Sequence, residues 1–230
     1  MKKILFYALV FSILSSTATA QSTQTQELVT AIKTNLAKSK KALMQYSWIE
    51  TQTVFYKGEQ KSVKQYQCYY SVDGQLQKVE SGAGAPAPAK RGIRGKIVEN
   101  KVDDITAYVN KAAALIKTYL PPDPAKIQQI YAGGGTTVAV LVPSQEYKLS
   151  FPNYNLQGDQ LSISINTTTQ MLTGVAVSSY INNASDVVSF SLTYATLPDG
   201  TQYAAQTDLV AAAENIKIVL VNSGYTMGKQ

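Results

Sequence analysis

The chain has 230 residues, 45% hydrophobic and 16% charged, with a formal net charge of +6 and no histidine. Such a composition is that of a globular domain, and the missing histidine excludes Ser-His-Asp and Cys-His triads, histidine metal sites and histidine pH switches. One cysteine, Cys68, excludes an internal disulfide and a thiolate zinc site, so a packed core must supply the stability.

The first elements in chain order are a charged start (Lys2, Lys3), an apolar run from Ile4 to Leu14, and a small-residue box, Ala18-Thr19-Ala20. Together they predict a cleaved bacterial export signal over 1–20, with residues 21–230 working as one domain in the periplasm. Gln21 follows the box where a lipid-anchored chain would carry cysteine. Beyond the signal, no segment reaches the ~18 consecutive apolar residues of a membrane span. Without Lys2 and Lys3 the net charge is +4, and the basic residues are too scattered to predict nucleic-acid binding.

Leu28, Ile32, Leu36 and Leu43 then recur at helical spacing, which predicts an amphipathic helix. Tyr46 to Tyr56 is rich in aromatic and β-branched residues and predicts a strand. Lys57-Gly58-Glu59 is a turn, Ser62 to Val72 a second strand, Asp73-Gly74 another turn, and Gln75 to Glu80 a third strand. Residues 81–95, with alternating Gly, Ala and Pro followed by Lys90, Arg91 and Arg94, are expected to form a flexible basic loop within the domain.

The clearest helix comes next. Val98, Val102, Ile105, Val109, Ala112, Ile116 and Leu120 fall within roughly an 80° sector, Glu99, Asp103, Lys111 and Lys117 lie outside it, and Pro121-Pro122 ends the pattern. Asp123 is placed to cap a short helix whose first residue is Pro124 and whose stop is Gly133-Gly134-Gly135. From Thr136 onward seven segments read as strands. Leu161, Ile163 and Ile165 alternate with serines, as do Val188, Phe190, Leu192 and Tyr194 with serine and threonine. Period-two alternation with short turns predicts an antiparallel meander with one buried face. The absence of a βαβ rhythm excludes a parallel doubly wound sheet.

The expected fold class is therefore α+β: a strongly curved antiparallel sheet of about ten strands, an open half-barrel, with two to three helices on its concave side. No catalytic, cofactor or metal site is predicted. The Gly133-Gly134-Gly135 run lacks the Lys-Ser/Thr of a phosphate loop and leads into a strand. Asp103 and Asp104 are adjacent on one helix, so their side chains diverge, and Asp199 sits in a Pro-Asp-Gly turn where aspartate serves the backbone. The sequons at Asn166 and Asn183 lie in turns and carry no weight in a bacterial chain. Tyr46, Tyr56, Tyr66, Tyr69, Tyr70 and Trp48 suit either a cavity lining with polar tips or ordinary sheet packing. Cys68, in a tyrosine-rich strand, is read as a small buried side chain.

The element order resembles the periplasmic outer-membrane lipoprotein carrier fold, the LolA/LolB-like proteins and their uncharacterised relatives. So do the segment from Phe190 through Pro198-Asp199-Gly200 to Tyr203 and the ending from Ile216 to Tyr225. The resemblance implies an open half-barrel wrapped around helices, with an apolar cavity that takes lipids or acyl chains. The carrier proper holds its lid helix with an arginine on an inner strand. Both arginines here lie within residues 81–95, so no functional residue transfers by position.

The expected function is that of a soluble, non-enzymatic, monomeric periplasmic protein that binds or carries an apolar small molecule or lipid without a cofactor. The candidate cavity residues are Tyr46, Trp48, Val54, Tyr56, Val98, Val102, Ile105, Val109, Phe190 and Leu192. The alternative is an envelope sensor or adaptor that binds a protein partner.

Overall fold

The structure is a computed structural model that describes residues 16–81 and 93–228. It comprises helix α1 (Ser16–Leu43), strands β1 (Tyr46–Tyr56), β2 (Glu59–Tyr70) and β3 (Leu76–Glu80), helices α2 (Ile93–Lys117) and α3 (Pro124–Ala132), and seven further strands. These are β4 (Thr137–Val142), β5 (Glu146–Pro152), β6 (Gln160–Asn166), β7 (Met171–Tyr180), β8 (Val187–Thr196), β9 (Gln202–Ala211) and β10 (Ile216–Met227). All ten strands form one antiparallel sheet in the order β3-β2-β1-β10-β9-β8-β7-β6-β5-β4. The outer strands β3 and β4 do not pair, so the sheet stays an open half-barrel, as its alternation predicts.

Two meanders build this sheet. The first three strands form one and the last seven the other, and they join through the β1·β10 pair, which runs from Tyr46↔Met227 to Tyr56↔Ile216. The β1–β2 turn is tight because Lys57 and Gly58 both take positive φ (54° and 78°), the backbone a two-residue hairpin demands. That geometry starts β2 at Glu59, three residues before the expected Ser62. Gly224, at φ 64°, sits where the β1·β10 register shifts and accommodates the extra residue there.

Register brings the apolar positions into rows across the sheet. One row runs Val54–Ile218–Leu209–Phe190–Val177–Leu161–Phe151 through directly opposed pairs on seven strands. A second, two residues away, runs Leu220–Thr207–Leu192–Val175–Ile163–Leu149. Between them lies a row of short side chains directed to the opposite face, including Ser150, Ser162, Ala176 and Ser191. One face is thus greasy and the other polar, which is what strict alternation encodes.

The helices lie on the apolar face. Ala112, Ile116 and Tyr119 of the α2 end join Phe151, Tyr154, Leu161, Leu172, Val175, Val177 and Val188 in the buried core, and Ile32 and Leu36 of α1 pack against it. Asp123 caps α3 as expected, its Oδ1 accepting the Ala125 N–H at 2.9 Å. The last turn of α2 departs from the expected boundary. The N–H groups of Thr118, Tyr119 and Leu120 turn to carbonyls three residues back, so the helix closes at Lys117 because the residue before Pro121 is driven out of helical geometry.

Most of the predicted basic loop, residues 82–92, lies outside the described residues. Its last part is helical instead: α2 begins at Ile93 and so includes Arg94. Residues 1–15 of the predicted export signal also lie outside the described residues, and Ala18-Thr19-Ala20 falls in α1.

Candidate functional site

The core is covered unevenly. Leu161, Val177 and Phe151, over which the end of α2 packs, are at most 2% exposed. Along the same row, Phe190, Leu209, Ile218 and Val54 are only half-buried. Three of these, Phe190, Leu209 and Ile218, lie in the floor of an open pocket of about 280 Å³. Ala113, Ile116, Lys117 and Leu120 form its helical wall, and Phe190, Thr207, Leu209, Ile218 and Leu220 form its strand floor. Residues 113, 116 and 117 share one face of α2 and Leu120 follows in the turn that ends it, while the floor residues are two neighbouring positions on β8 to β10.

Two tyrosines hold α2 in this position. The Tyr119 hydroxyl donates to the buried Asp159 carboxylate and lies 2.8 Å from Ser179 Oγ. Asp159 Oδ2 also accepts the N–H groups of Asn155 (2.9 Å) and Leu156 (2.6 Å), which closes the β5–β6 loop around it. Within α2 itself, the Tyr108 hydroxyl donates to Asp186, whose other oxygen accepts Asn182 Nδ2 at 2.6 Å. Burial, then the carboxylate partner, pushes both phenols well above their ordinary range, so both hold their protons at neutral pH. A third hydroxyl, Tyr154 Oη, accepts the Asp123 N–H at 2.7 Å and fixes the start of α3.

At β1, β2 and β10, Trp48 stacks on Tyr225 at 5.4 Å and packs against Tyr70 at 5.8 Å; Tyr225 in turn meets Tyr203 at 4.4 Å and Tyr46 at 6.3 Å. The Trp48 indole N–H donates to Asn222 Oδ1 at 3.1 Å, and Asn222 Nδ2 donates to the Ala204 carbonyl at 2.8 Å. Opposite Trp48 on β2 is Cys68, wholly buried, its thiol pushed up first by burial and then by the charge of Glu50. Glu50 is itself buried and paired with Lys78 at 2.8 Å. These rings pack on each other as a second core.

The sequence-predicted cavity residues separate accordingly. Phe190 lines the pocket. Leu192 and Val54 lie half-buried in the two apolar rows beside it. Tyr56 pairs with Ile216 at the end of β1, and Ile105 and Val109 are half-buried further up α2. Trp48 and Tyr46 belong to the aromatic cluster, and the Tyr46 hydroxyl is bonded to Asp199 at 2.8 Å. The side chains of Val98 and Val102 lie outside the described residues. Asp199 has the backbone role expected of it: it accepts the Thr201 N–H at 2.9 Å, in a turn whose Gly200 has φ 86°.

Sequence reasoning placed the remaining wall and floor residues in elements without joining them. Leu209, Ile218 and Leu220 come together only through the β8-β9-β10 register, and Lys117 read as a residue off the apolar stripe. Among the described residues there is no group of three or more acidic, cysteine or histidine side chains able to hold a metal, and no helix is long and apolar enough to cross a membrane.

No family model matches the chain, and no curated protein matches it. Two solved structures are similar to it. One is a LolA superfamily protein from Nitrosomonas europaea, with 8% identity and a TM-score of 0.37 over 86% of this chain and 94% of that one. The other is a DUF1329 family protein from Desulfovibrio piger, with 8% identity and a TM-score of 0.32 over 84% of this chain and 93% of that one.

Proposed function

We propose that this chain is an exported, non-catalytic binding or carrier protein for an apolar ligand, a lipid or an acylated chain, and that it works in the periplasm. The carrying observation is the incomplete cover on the apolar row. Ile218, Leu209 and Phe190 continue a row that is fully buried under the end of α2 from the next strand, β7, onward, yet they face an open pocket. Leaving such a floor wet is unfavourable by ~25 cal/mol per Å² of apolar surface, and a chain laid on it recovers ~0.8 kcal/mol per buried CH₂ group. No directed polar contact is required, in keeping with a pocket wall that is almost wholly apolar.

The test is native mass spectrometry of protein exported to the periplasm, followed by organic extraction. Lipid mass on the native protein, lost on substituting Leu209→Trp to fill the pocket, is the expected result. A lipid-free native protein that takes up no chain in titration refutes the reading.

A second reading, an envelope adaptor, is favoured by a different feature. Every residue of β4, at the sheet edge, is exposed, with Val138 at 60% and Val140 at 58%, and such an edge can accept a strand from a partner. A stable complex recovered from envelope fractions through β4 would support it.

A further inference from the structure

We propose that the pocket selects a single-chain fatty carboxylate and that Lys117 is the residue that selects it; this rests on the binding reading above. Among the nine lining residues, only Lys117 and Thr207 are polar, and none is acidic. Lys117 is in the last turn of α2, next to the buried Ile116 and one turn before Leu120, so its stem lies along the wall while the residue remains exposed. Long lysine side chains do this readily: the methylenes cover apolar surface and the ammonium stays at the water boundary.

Among the described residues no carboxylate lies within ion-pair distance of this ammonium. The ion pairs among the described residues engage Lys61, Lys64, Lys78 and Lys217, and Lys117 is in none of them. A chain lying on Phe190, Leu209 and Ile218 would bring its polar end to the rim where this charge stands. There an anionic head gains a charge-assisted contact, a neutral head gains none, and a cationic head is repelled. The volume sets the chain number. About 280 Å³ lies just below the ~300–1,000 Å³ of most ligand pockets, which suits one chain better than the two of a diacyl lipid.

Lys117 also stands where the helix dipole favours a cation whatever the ligand. The discriminating experiment therefore compares head groups rather than stability. Tetradecanoate, tetradecanol and tetradecyltrimethylammonium are titrated into the purified chain below their micellar concentrations, by displacement of a fluorescent apolar probe. The expected order is acid, alcohol, ammonium, with the acid bound about fivefold tighter than the alcohol at low salt and the margin shrinking as salt is added. Lys117→Gln weakens the acid more than the alcohol and so removes the margin between them, and Lys117→Glu favours the ammonium. Equal binding of acid and alcohol by the unaltered chain, or an undiminished margin in Lys117→Gln, overturns this inference and leaves the carrier reading standing. Failure of all three compounds to bind overturns both.

Discussion

The hydroxyl of Tyr119 and the carboxylate of Asp159 are hydrogen-bonded to each other with both residues at 2% exposure or less, so the end of α2 is fixed to the β5–β6 loop inside the core. The bond decides how far α2 reaches across the sheet and therefore where cover ends and the pocket begins. Tyr119→Phe leaves a buried carboxylate short of a donor and is expected to destabilise the fold by about 1–3 kcal/mol. That corresponds to about 2–4 °C of midpoint per kcal/mol for a chain of this size. Thermal and urea unfolding check it. An unchanged midpoint would mean that α2 is held by apolar contacts alone.

The same phenols predict an alkaline limit. Tyr108, Tyr119 and Tyr225 are all raised, each first by burial. A phenol whose folded value lies above the ordinary ~10 binds more protons folded than unfolded once pH exceeds that value. Their contribution is thus fully present below pH ~10 and is lost as pH rises beyond it. Denaturant midpoints measured from neutral to strongly alkaline pH should be level and then fall, and the fall should be shallower in Tyr225→Phe.

Trp48 is the single tryptophan and reports on the second core directly. Asn222→Ala removes the acceptor of its indole N–H and the donor to the Ala204 carbonyl, leaving two partners unsatisfied. We expect a loss of about 2 kcal/mol, with a shift in tryptophan emission in the folded state. An unaltered emission spectrum would place the indole N–H on another acceptor.

Cys68 should resist thiol reagents. It is wholly buried, and burial disfavours the reactive thiolate. Labelling in native buffer is expected to proceed only as fast as the β1–β2 region opens, and to become immediate in denaturant. Rapid native labelling would contradict the packing around Trp48.

The β4 edge makes a solubility prediction. Thr137–Val142 carries no charge to deter pairing with another chain, whereas β3 at the opposite edge carries Lys78 and Glu80. Val140→Lys should reduce self-association at high concentration without altering the unfolding midpoint, because Val140 is 58% exposed. Light scattering and calorimetry on the two chains provide the comparison.

Much of the fold was legible because its signals are local. Serine alternation fixed which residues of β6 and β8 face the core, Asp123-Pro124 announced α3, and Pro121-Pro122 bounded α2. The site was harder to read because it is made by register, which is non-local. Nothing around Leu209 or Ile218 says that they stand opposite Phe190 and Val54. Trp48 and Tyr46, conspicuous in sequence, went to an aromatic cluster and a turn contact because Tyr225 and Asp199 arrive beside them from the far end of the chain. Lys117 lay off the apolar stripe by periodicity, and only the pocket's position gave it a role.

The β1·β10 junction has a consequence for how the protein is made. Tyr46 must find Met227, and Tyr56 must find Ile216, so the middle of the sheet cannot zip until nearly the whole polypeptide has left the ribosome. Contacts this distant along the chain close slowly. Until then the first meander has no neighbour along β1, and that unpaired edge is free to accept a strand from another chain.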